Sequence, residues 1–470
     1  MMSITTPRRN KVKQHLSVVL AAALFAATPA LAADPAPNNA SPYNCDFDPA
    51  CEVAPGFYGN LSAPTASKFN LTIGGFIKLD SAYNSTNFGP TGYFTPTNVP
   101  KDSSLPGKKD QYISSIRQSR LWFKSSGPTL LGAKTNALLE FDFSNTNNAK
   151  SSAENLNATP RLRHAYGNLD WGTTKLLFGQ TGDIFGQLSG NTLDFNSGSQ
   201  AGFFGGTRTP QIRLTQQVDL NKDNYLRFVV GIEQPYQSNY VDAGTNGAAG
   251  STAGDSWGAK PNVAGQIAFI SKALGVSPGY YGQSLNNFSI GLSGLYGNQE
   301  VLGNKDTIDS WGVSLYTFVP ILKSADGKSR ANTLTFEGQV YTAKNVNGAT
   351  ATQYVKNSSG NLDGAKGFGL GTNLIYFPTQ NLGLSGGYGR RQADPASDYK
   401  GITNYERYNK TYFVNAIYDL NAAVRVGAEY QRFETAYGNV KDITTAGSPL
   451  GGTADKGTTN IARLSLYYFF

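Results

Sequence analysis

The amino-acid sequence predicts an all-β protein, a sixteen-stranded antiparallel transmembrane β-barrel. Three observations lead to this fold class: a secretory leader, segments of about ten residues in which apolar and polar residues alternate, and connections that are short and long in turn. After residue 32, no apolar run reaches the roughly 18 residues that a membrane-spanning helix needs. A chain of this kind can therefore cross a membrane only as strands.

Residues 1–32 have the layout of a bacterial secretory signal. Arg8, Arg9, Lys11 and Lys13 precede the apolar run "HLSVVLAAALFAATPALA", which closes with the small-residue triplet Ala-Leu-Ala. This arrangement predicts a signal peptide that is cleaved after residue 32. The alternative is a short membrane anchor, which the length of the apolar run does not favour.

The charge balance does not point to a nucleic-acid partner. Four of the 40 Lys+Arg residues and none of the 32 Asp+Glu residues lie in the leader, so the mature chain has 36 basic and 32 acidic residues and a formal charge of +4. No run rich in Lys or Arg follows. His164 is the only imidazole left after the leader.

Residues 33–68 predict a short periplasmic extension before the barrel. This stretch contains the only two cysteines of the chain, Cys45 and Cys51, in "YNCDFDPAC". Because the compartment is oxidising, we expect a disulfide between them. Two free or intermolecular thiols are the alternative.

The strand prediction rests on side-chain alternation with a period of two. The first segment, "LTIGGFIKLD", places Ile73, Ile77 and Leu79 on one face and Lys78 and Asp80 on the other. The segments "NALLEFDF", "YLRFVVGIE", "AVRVGAEY" and "RLSLYYFF" alternate in the same way. This pattern is typical of outer-membrane strands, with one face toward lipid and the other toward the lumen.

Sixteen such segments can be counted along residues 69–470. The predicted strands are 69–82, 111–125, 134–144, 160–169, 173–181, 209–218, 224–233, 261–271, 287–298, 307–319, 332–342, 367–377, 382–391, 405–418, 422–435 and 459–470. An even number returns the chain end to the periplasmic side. We expect the last strand to pair with the first, which leaves no exposed sheet edge.

The connections distinguish a barrel from a soluble sandwich. Short turns such as "DWGT", "DLNKDN", "PTQN" and "DLNA" alternate with long polar connections such as 234–260, 343–366 and 436–458. A transmembrane barrel has short periplasmic turns and longer extracellular loops. A two-sheet sandwich, the alternative, has no reason to sort its connections in this way.

Five stretches of the front half carry a family resemblance. "GGFIKLD", "RQSRLWFKSS", "KTNALLEFDF", "RLRHAYGNLDWG" and "LLFGQTGDIFG", in this order, resemble the first five strands of the DcaP-like trimeric outer-membrane porins. The resemblance is specific over residues 70–215 and architectural beyond them. It implies a homotrimer that passes dicarboxylate-type anionic solutes. One departure is that 33–68 lacks the heptads that some members carry before the barrel.

The resemblance also implies that the connection after the fifth strand folds inward and narrows the pore. The matching stretch is 182–206, rich in Gly and Ser, and its only acids are Asp183 and Asp194. We expect this constriction loop to face a mostly basic wall. An ordinary extracellular loop is the alternative.

Alternation places a set of basic residues in the lumen, and these are the predicted pore-lining, anion-binding residues. They are Lys78, Arg120, Lys124, Arg161, Arg163, Arg213, Arg227 and Arg463. Glu140 and Asp142 on the third strand could pair with some of them. Two acids cannot neutralise the four cations of the second and fourth strands. Because the guanidinium fork fits carboxylates, the sequence predicts an anion-preferring pore, with small organic acids as solutes.

Polar residues on the predicted outer face favour a trimer. Arg117, Ser119 and His164 share that face with Leu121, Phe123, Leu162 and Tyr166 by simple alternation. A charge that faces lipid near the midplane costs roughly 2–4 kcal/mol, which a subunit contact would relieve. A β-bulge that turns Arg117 inward is the competing explanation.

The sequence therefore predicts a passive porin of the bacterial outer membrane. Its expected partners are small anionic solutes, the lipid bilayer, lipopolysaccharide and two further copies of the chain, with no cofactor, no metal and no nucleic acid. A non-conducting adhesin or scaffold barrel is the alternative. An outer-membrane lipase is less favoured, because His164 is the only candidate base and a nucleophile would have to lie beside it.

Overall fold

The computed structural model describes most of the chain after residue 62. The described residues are 63–64, 69–87, 99–145, 159–186, 188–194, 200–203, 207–235, 241–242, 260–279, 284–302, 307–346, 354–356, 362–393, 403–439 and 456–470. The predicted signal peptide and the predicted Cys45–Cys51 disulfide lie outside these residues and stay predictions. The extension 33–68 is described only at residues 63–64.

Sixteen antiparallel strands close into a barrel, which confirms the predicted fold class. The strands are β1 (Asn70–Asn84), β2 (Gln111–Ser115 and Arg120–Leu130), β3 (Ala133–Asn145), β4 (Thr159–Asp170), β5 (Thr174–Gly182), β6 (Arg208–Asp219), β7 (Asn224–Glu233), β8 (Asn262–Pro278), β9 (Leu285–Leu302), β10 (Thr307–Leu322), β11 (Thr333–Lys344), β12 (Lys366–Phe377), β13 (Leu382–Ala393), β14 (Thr403–Asp419), β15 (Val424–Asn439) and β16 (Lys456–Phe469). β16 pairs with β1 from Phe76↔Phe469 to Asn84↔Ile461. The first and last strands therefore have no free edge over this stretch.

Four shorter pieces and one helical turn accompany the barrel. Ala63–Pro64 pairs with the start of β1, Val241–Asp242 lies parallel to the end of β9, and Tyr354–Lys356 pairs with Leu362–Gly364. Pro106–Lys108 forms a single 3₁₀ turn. Among the described residues, no helix is long and apolar enough to cross a membrane.

The barrel wall is apolar outside and polar inside. Outward positions such as Ile77, Val230 and Val414 are 54–58 % exposed, although they are large and apolar. Inward positions such as Ser289 and Ser314 are buried. An exposed apolar belt is unfavourable in water but matches a hydrocarbon layer, so the wall is that of a membrane barrel.

The two rims differ as predicted, although the sorting is not strict. One rim carries the short connections 131–132, 171–173, 220–223, 279–284, 323–332, 378–381 and 420–423. The other rim carries 85–110, 146–158, 183–207, 234–261, 303–306, 345–365, 394–402 and 440–455. We assign the second rim to the extracellular side because six of its eight connections are longer than any connection on the first rim.

The predicted outward face of β2 is wrong at Arg117 and Ser119, because β2 contains an extra residue. Asp80 pairs with Ser115 and Phe76 with Arg120, so three residues of β1 lie opposite four of β2. The Ser119 N–H donates to the Ile116 carbonyl at 3.0 Å and closes a turn there. Arg117 and Ser119 are buried, and the competing explanation of a bulge is the correct one.

A second bulge corrects the prediction for His164. Glu140 pairs with His164 but the next residue, Phe141, pairs with Leu162, so Arg163 is the inserted residue of β4. Both Arg163 and His164 are consequently buried inside the wall. Tyr166, also predicted outward, lies opposite the inward-facing Leu138. The polar residues that suggested a subunit contact therefore do not face lipid.

Candidate functional site: the constriction loop and the basic wall

The connection between β5 and β6 folds into the barrel, as the resemblance implied. Its described residues are 183–186, 188–194, 200–203 and 207. Wall side chains accept hydrogen bonds from its backbone: Ile184 N donates to Glu233 Oε1 at 3.0 Å and Leu193 N donates to Glu429 Oε2 at 2.6 Å. Since these acceptors lie on β7 and β15, the loop crosses the lumen.

Apolar side chains of the loop dock on the same wall. Ile184 and Phe185 pack with Val229 of β7, Leu295 of β9 and Tyr341 of β11. A second anchor is formed by Leu193 with Ile375, Phe377 and Ile417, and a third by Leu188 and Phe203 with Phe413. Three separate anchors fix the loop along the far side of the lumen.

Gly202 marks a very close approach of the loop to the wall. Its φ is +81°, and a Cβ at this position would lie 1.9 Å from the Leu370 carbonyl oxygen. The Gly202 carbonyl accepts a hydrogen bond from Gln339 Nε2 at 3.0 Å. Only glycine fits this position without displacing the backbone.

The loop acid Asp194 binds the basic wall directly. Arg463 Nη2 donates to Asp194 Oδ2 at 2.9 Å and Gln118 Nε2 donates to Oδ1 at 2.7 Å. Lys78 Nζ donates to the neighbouring Leu193 carbonyl at 2.8 Å and forms an ion pair with Asp80. Lys78 and Arg463, two of the predicted pore-lining cations, thus hold the loop.

The other loop acid, Asp183, makes a different contact. Its Oδ1 accepts a hydrogen bond from Thr209 Oγ1 at 3.1 Å, on the adjacent strand β6. Asp183 therefore fastens the beginning of the loop to β6, whereas Asp194 fastens the middle of the loop to β2 and β16.

The remaining cations of β2 and β4 surround two carboxylates of β3. Arg161 contacts Asp142 through Nε at 2.9 Å and Nη2 at 2.5 Å. Arg163 bridges both acids, at 2.6 Å to Glu140 and 2.9 Å to Asp142, and Arg120 Nη1 lies 3.8 Å from Glu140. The alternative that these charges pair with neighbouring acids is therefore correct in part.

This cluster nevertheless keeps an excess of positive charge. Lys124 faces the same side, and its Nζ lies 4.6 Å from the centroid of the Trp122 ring. The cluster counts four cations, on β2 and β4, against two carboxylates, which leaves a formal charge of +2. The Arg161 side chain is 40 % exposed, whereas that of Arg163 is 1 % exposed. Arg161 is thus the arginine of the cluster that the lumen reaches most readily.

Arg213 and Arg227 also point inward but are buried in the wall. Arg213 lies beside Glu233, whose carboxylate accepts the hydrogen bond from the Ile184 N–H. Nε and Nη2 of Arg227 have no hydrogen-bond partner among the described residues. All eight predicted cations therefore face inward, but they belong to several separate environments and do not form one ring.

His164 contributes to the wall rather than to an open site. It is fully buried, its Nδ1 lies 3.0 Å from Thr181 Oγ1, and its Nε2 lies 4.0 Å from Glu140 Oε1. Arg208 Nε approaches the same ring at 3.4 Å. In the part of the chain that the structure describes, no group of three metal-ligating side chains occurs.

Two solved structures of similar fold are described as an outer-membrane channel and a porin. The fold is similar to the outer membrane channel DcaP of Acinetobacter baumannii, with a TM-score of 0.61 and 16 % identity over 87 % of this chain and 99 % of that chain. It is also similar to an anion-selective porin from Comamonas acidovorans, with a TM-score of 0.50 and 12 % identity over 86 % of this chain and 100 % of that chain. No protein-family model and no curated protein sequence matches the chain. The chain therefore has the fold of an outer-membrane porin, the fold that its resemblance to the DcaP-like porins predicted.

Proposed function

We propose that this protein is a porin of the bacterial outer membrane that lets small hydrophilic solutes diffuse passively and prefers anions. The observation that carries the proposal is the partly exposed Arg161 in a cluster with a formal charge of +2 on the lumen side of β2–β4. One structure of similar fold is described as an anion-selective porin, which is consistent with this preference.

The size of the electrostatic energy supports a weak attraction of anionic solutes to the pore and not tight binding. A solute carboxylate about 4 Å from an uncompensated cation gains roughly 1 kcal/mol in bulk water and about 4 kcal/mol near a protein surface. Two of the donor nitrogens of Arg161 already bind Asp142, so a solute meets a partly satisfied guanidinium. Binding that is favourable enough to enter and weak enough to leave is what conduction requires. Small organic acids such as dicarboxylates are the proposed solutes.

The test is the reversal potential of purified protein in a planar bilayer under a salt gradient. We expect an anion preference in the unmodified channel, a weaker one in Arg161→Glu, and an unchanged one in Lys222→Glu. Lys222 is a matched control because its side chain is 91 % exposed in the turn between β6 and β7. A cation preference of the unmodified channel, or equal behaviour of the two variants, would contradict the proposal.

A non-conducting adhesin or scaffold barrel is the second candidate, and one observation favours it. The constriction loop is attached to β7, β11, β15 and β16, which places much of its backbone across the lumen. The same recording decides between the two: solute-dependent current supports the porin, and its absence with correctly folded protein supports the scaffold. A lipase assay on the same preparation tests the less favoured enzyme.

The homotrimer stays part of the proposal, on a different basis from the one the sequence offered. A concave groove of about 570 Å³ lies on the outer wall of β1–β5. Small residues line much of it: Gly127, Ala137, Ala165, Gly167 and Gly179. Such a surface lets the backbone of a neighbouring copy approach closely and form many van der Waals contacts, more than flexible lipid chains would form there.

A further inference from the structure

Four cations lie on the outer surface of the barrel in the extracellular halves of β13–β16. They are Arg390, Lys410, Arg432 and Lys456, and together with Glu434 we call them the outer basic patch. The cross-strand register places Arg390 opposite Lys410 and Lys410 opposite Glu434. Lys410 alternates with the exposed Tyr412 and Val414, so this register faces outward, away from the lumen.

The patch contains more positive charge than its own acid can balance. Glu434 accepts contacts from Arg432 Nε at 3.0 Å and from Lys456 Nζ at 3.1 Å. Arg390 and Lys410 instead lie over the ring of Tyr408, at 5.4 Å and 4.8 Å from its centroid. Four cations and one carboxylate leave a formal charge of +3.

The position of the patch explains why it is tolerated on a lipid-facing wall. Lys456 begins β16 at the extracellular rim, and Arg390 lies three residues before the end of β13. Lys410 and Arg432 lie just to the extracellular side of the middle of β14 and β15, where the outward apolar positions Tyr412 and Tyr430 end. Outward-facing cations cost about 0–1 kcal/mol at the membrane interface but roughly 2–4 kcal/mol at the midplane. One step toward the midplane, Tyr388 and Tyr412 pack with ring centroids 5.0 Å apart. Arg390 and Lys410 thus lie just above an aromatic pair, and Arg432 lies beside it, opposite Tyr412.

We propose that the outer basic patch binds the phosphate groups of the glycolipid in the outer leaflet, lipopolysaccharide. Guanidinium and ammonium groups are the side chains that bind phosphate, through charge-assisted hydrogen bonds. The patch spans four strands and three rows of side chains, roughly 14 Å by 13 Å, which is the scale of a lipid headgroup. The pair Tyr388–Tyr412 lies at the depth of the interfacial aromatic girdle, where the acyl chains begin.

This site is distinct from the proposed pore. It lies on the opposite face of the wall from Arg161, so its function does not depend on conduction. Its occupant is assigned to the outer leaflet because the patch lies in the halves of β13–β16 that lead to the rim with the long connections.

The test is a titration of the full mature protein in detergent with deep-rough lipopolysaccharide, followed by native mass spectrometry. The variant is Lys410→Gln with Lys456→Gln, and the matched control is Lys272→Gln with Lys323→Gln. Lys272 and Lys323 are exposed lysines on the periplasmic side of the barrel. We expect about 25-fold weaker binding in the patch variant, since each cation near an anionic surface contributes about a factor of five. The control should bind like the unmodified protein.

Additional ligands and a second readout separate the proposal from its alternatives. Dephosphorylated lipopolysaccharide should bind the unmodified protein about 25-fold more weakly than the phosphorylated form does, a comparison that needs no variant. Equal binding of the two glycolipids would overturn the proposal, as would equal affinity of the patch variant and its control. Inorganic phosphate that binds as tightly as the glycolipid would identify a free-phosphate site instead. Loss of assembly mass in the patch variant would identify a contact between copies.

Discussion

At the scale of single residues, two inserted residues decide which predictions hold. Alternation correctly placed Lys78, Arg120 and Arg161 inside the barrel. It failed at Arg117 and His164, because the bulges in β2 and β4 reverse the parity that alternation assumes. A bulge is defined by the number of residues on the neighbouring strand, which no local pattern contains. The resulting Arg–carboxylate cluster could therefore be anticipated in composition but not in geometry.

The buried cluster gives a stability prediction at this scale. Glu140→Gln removes the carboxylate that Arg163 contacts at 2.6 Å and leaves Asp142 as the only acid of the cluster. We expect a loss of about 3 kcal/mol, since breaking a buried ion pair strands an uncompensated charge. Thermal unfolding in detergent, followed by the heat-induced shift of the folded band on a gel, measures it.

The control for Glu140→Gln is a partly exposed pair of the same type. Asp170→Asn removes the partner of Lys175, at 3.6 Å and in contact with solvent. Its loss should be below about 1 kcal/mol. Equal shifts for the two variants would show that the cluster does not stabilise the barrel.

At the scale of elements, the sequence of the constriction loop predicts that the loop folds inward but not the path that it takes across the lumen. Length, flexibility and family resemblance predicted that it folds inward. Its path depends on acceptors from distant strands, among them Glu233, Gln339 and Glu429, and each of these looks like an ordinary inward residue of its own strand. The strands themselves were predictable because their period of two is local.

Loop attachment gives a prediction with a closely matched control. Gly202→Ala would place a Cβ 1.9 Å from the Leu370 oxygen, so the loop must move away from the wall. We expect an altered and noisier single-channel conductance, measured in planar bilayers. Gly132→Ala is the control, because Gly132 has the same φ of +81° with nothing within 4 Å of the added atom. The backbone strain is then equal in both variants, so a difference between their conductances comes from displacement of the loop. Identical conductance in both variants would contradict the prediction.

At the scale of the whole molecule, the barrel could be predicted because each requirement is visible in the chain. Sixteen alternating segments, an even count and two classes of connection fix closure, and β1 pairs with β16 as expected. The contact of the proposed trimer could not be predicted on the same terms. It depends on the shape of the outer wall, and the small residues that create the groove on β1–β5 become neighbours only when the strands pair.

The groove makes the trimer testable without changing any charge. Ala137 is exposed in the groove, where Leu would project into whatever covers it. If a second copy packs there, Ala137→Leu overpacks the contact at a cost of about 1–3 kcal/mol and shifts the mass toward monomer. If lipid covers the groove, the larger apolar side chain is harmless.

Ala416→Leu is the control, on the outer face of β14 between Val414 and Tyr418. Native mass spectrometry after mild detergent extraction should show trimer for the unmodified protein and the control, and a smaller trimer fraction for Ala137→Leu. An unmodified protein that is monomeric under these conditions would rule out the trimer, and a trimer unaffected by Ala137→Leu would place its contact elsewhere on the wall.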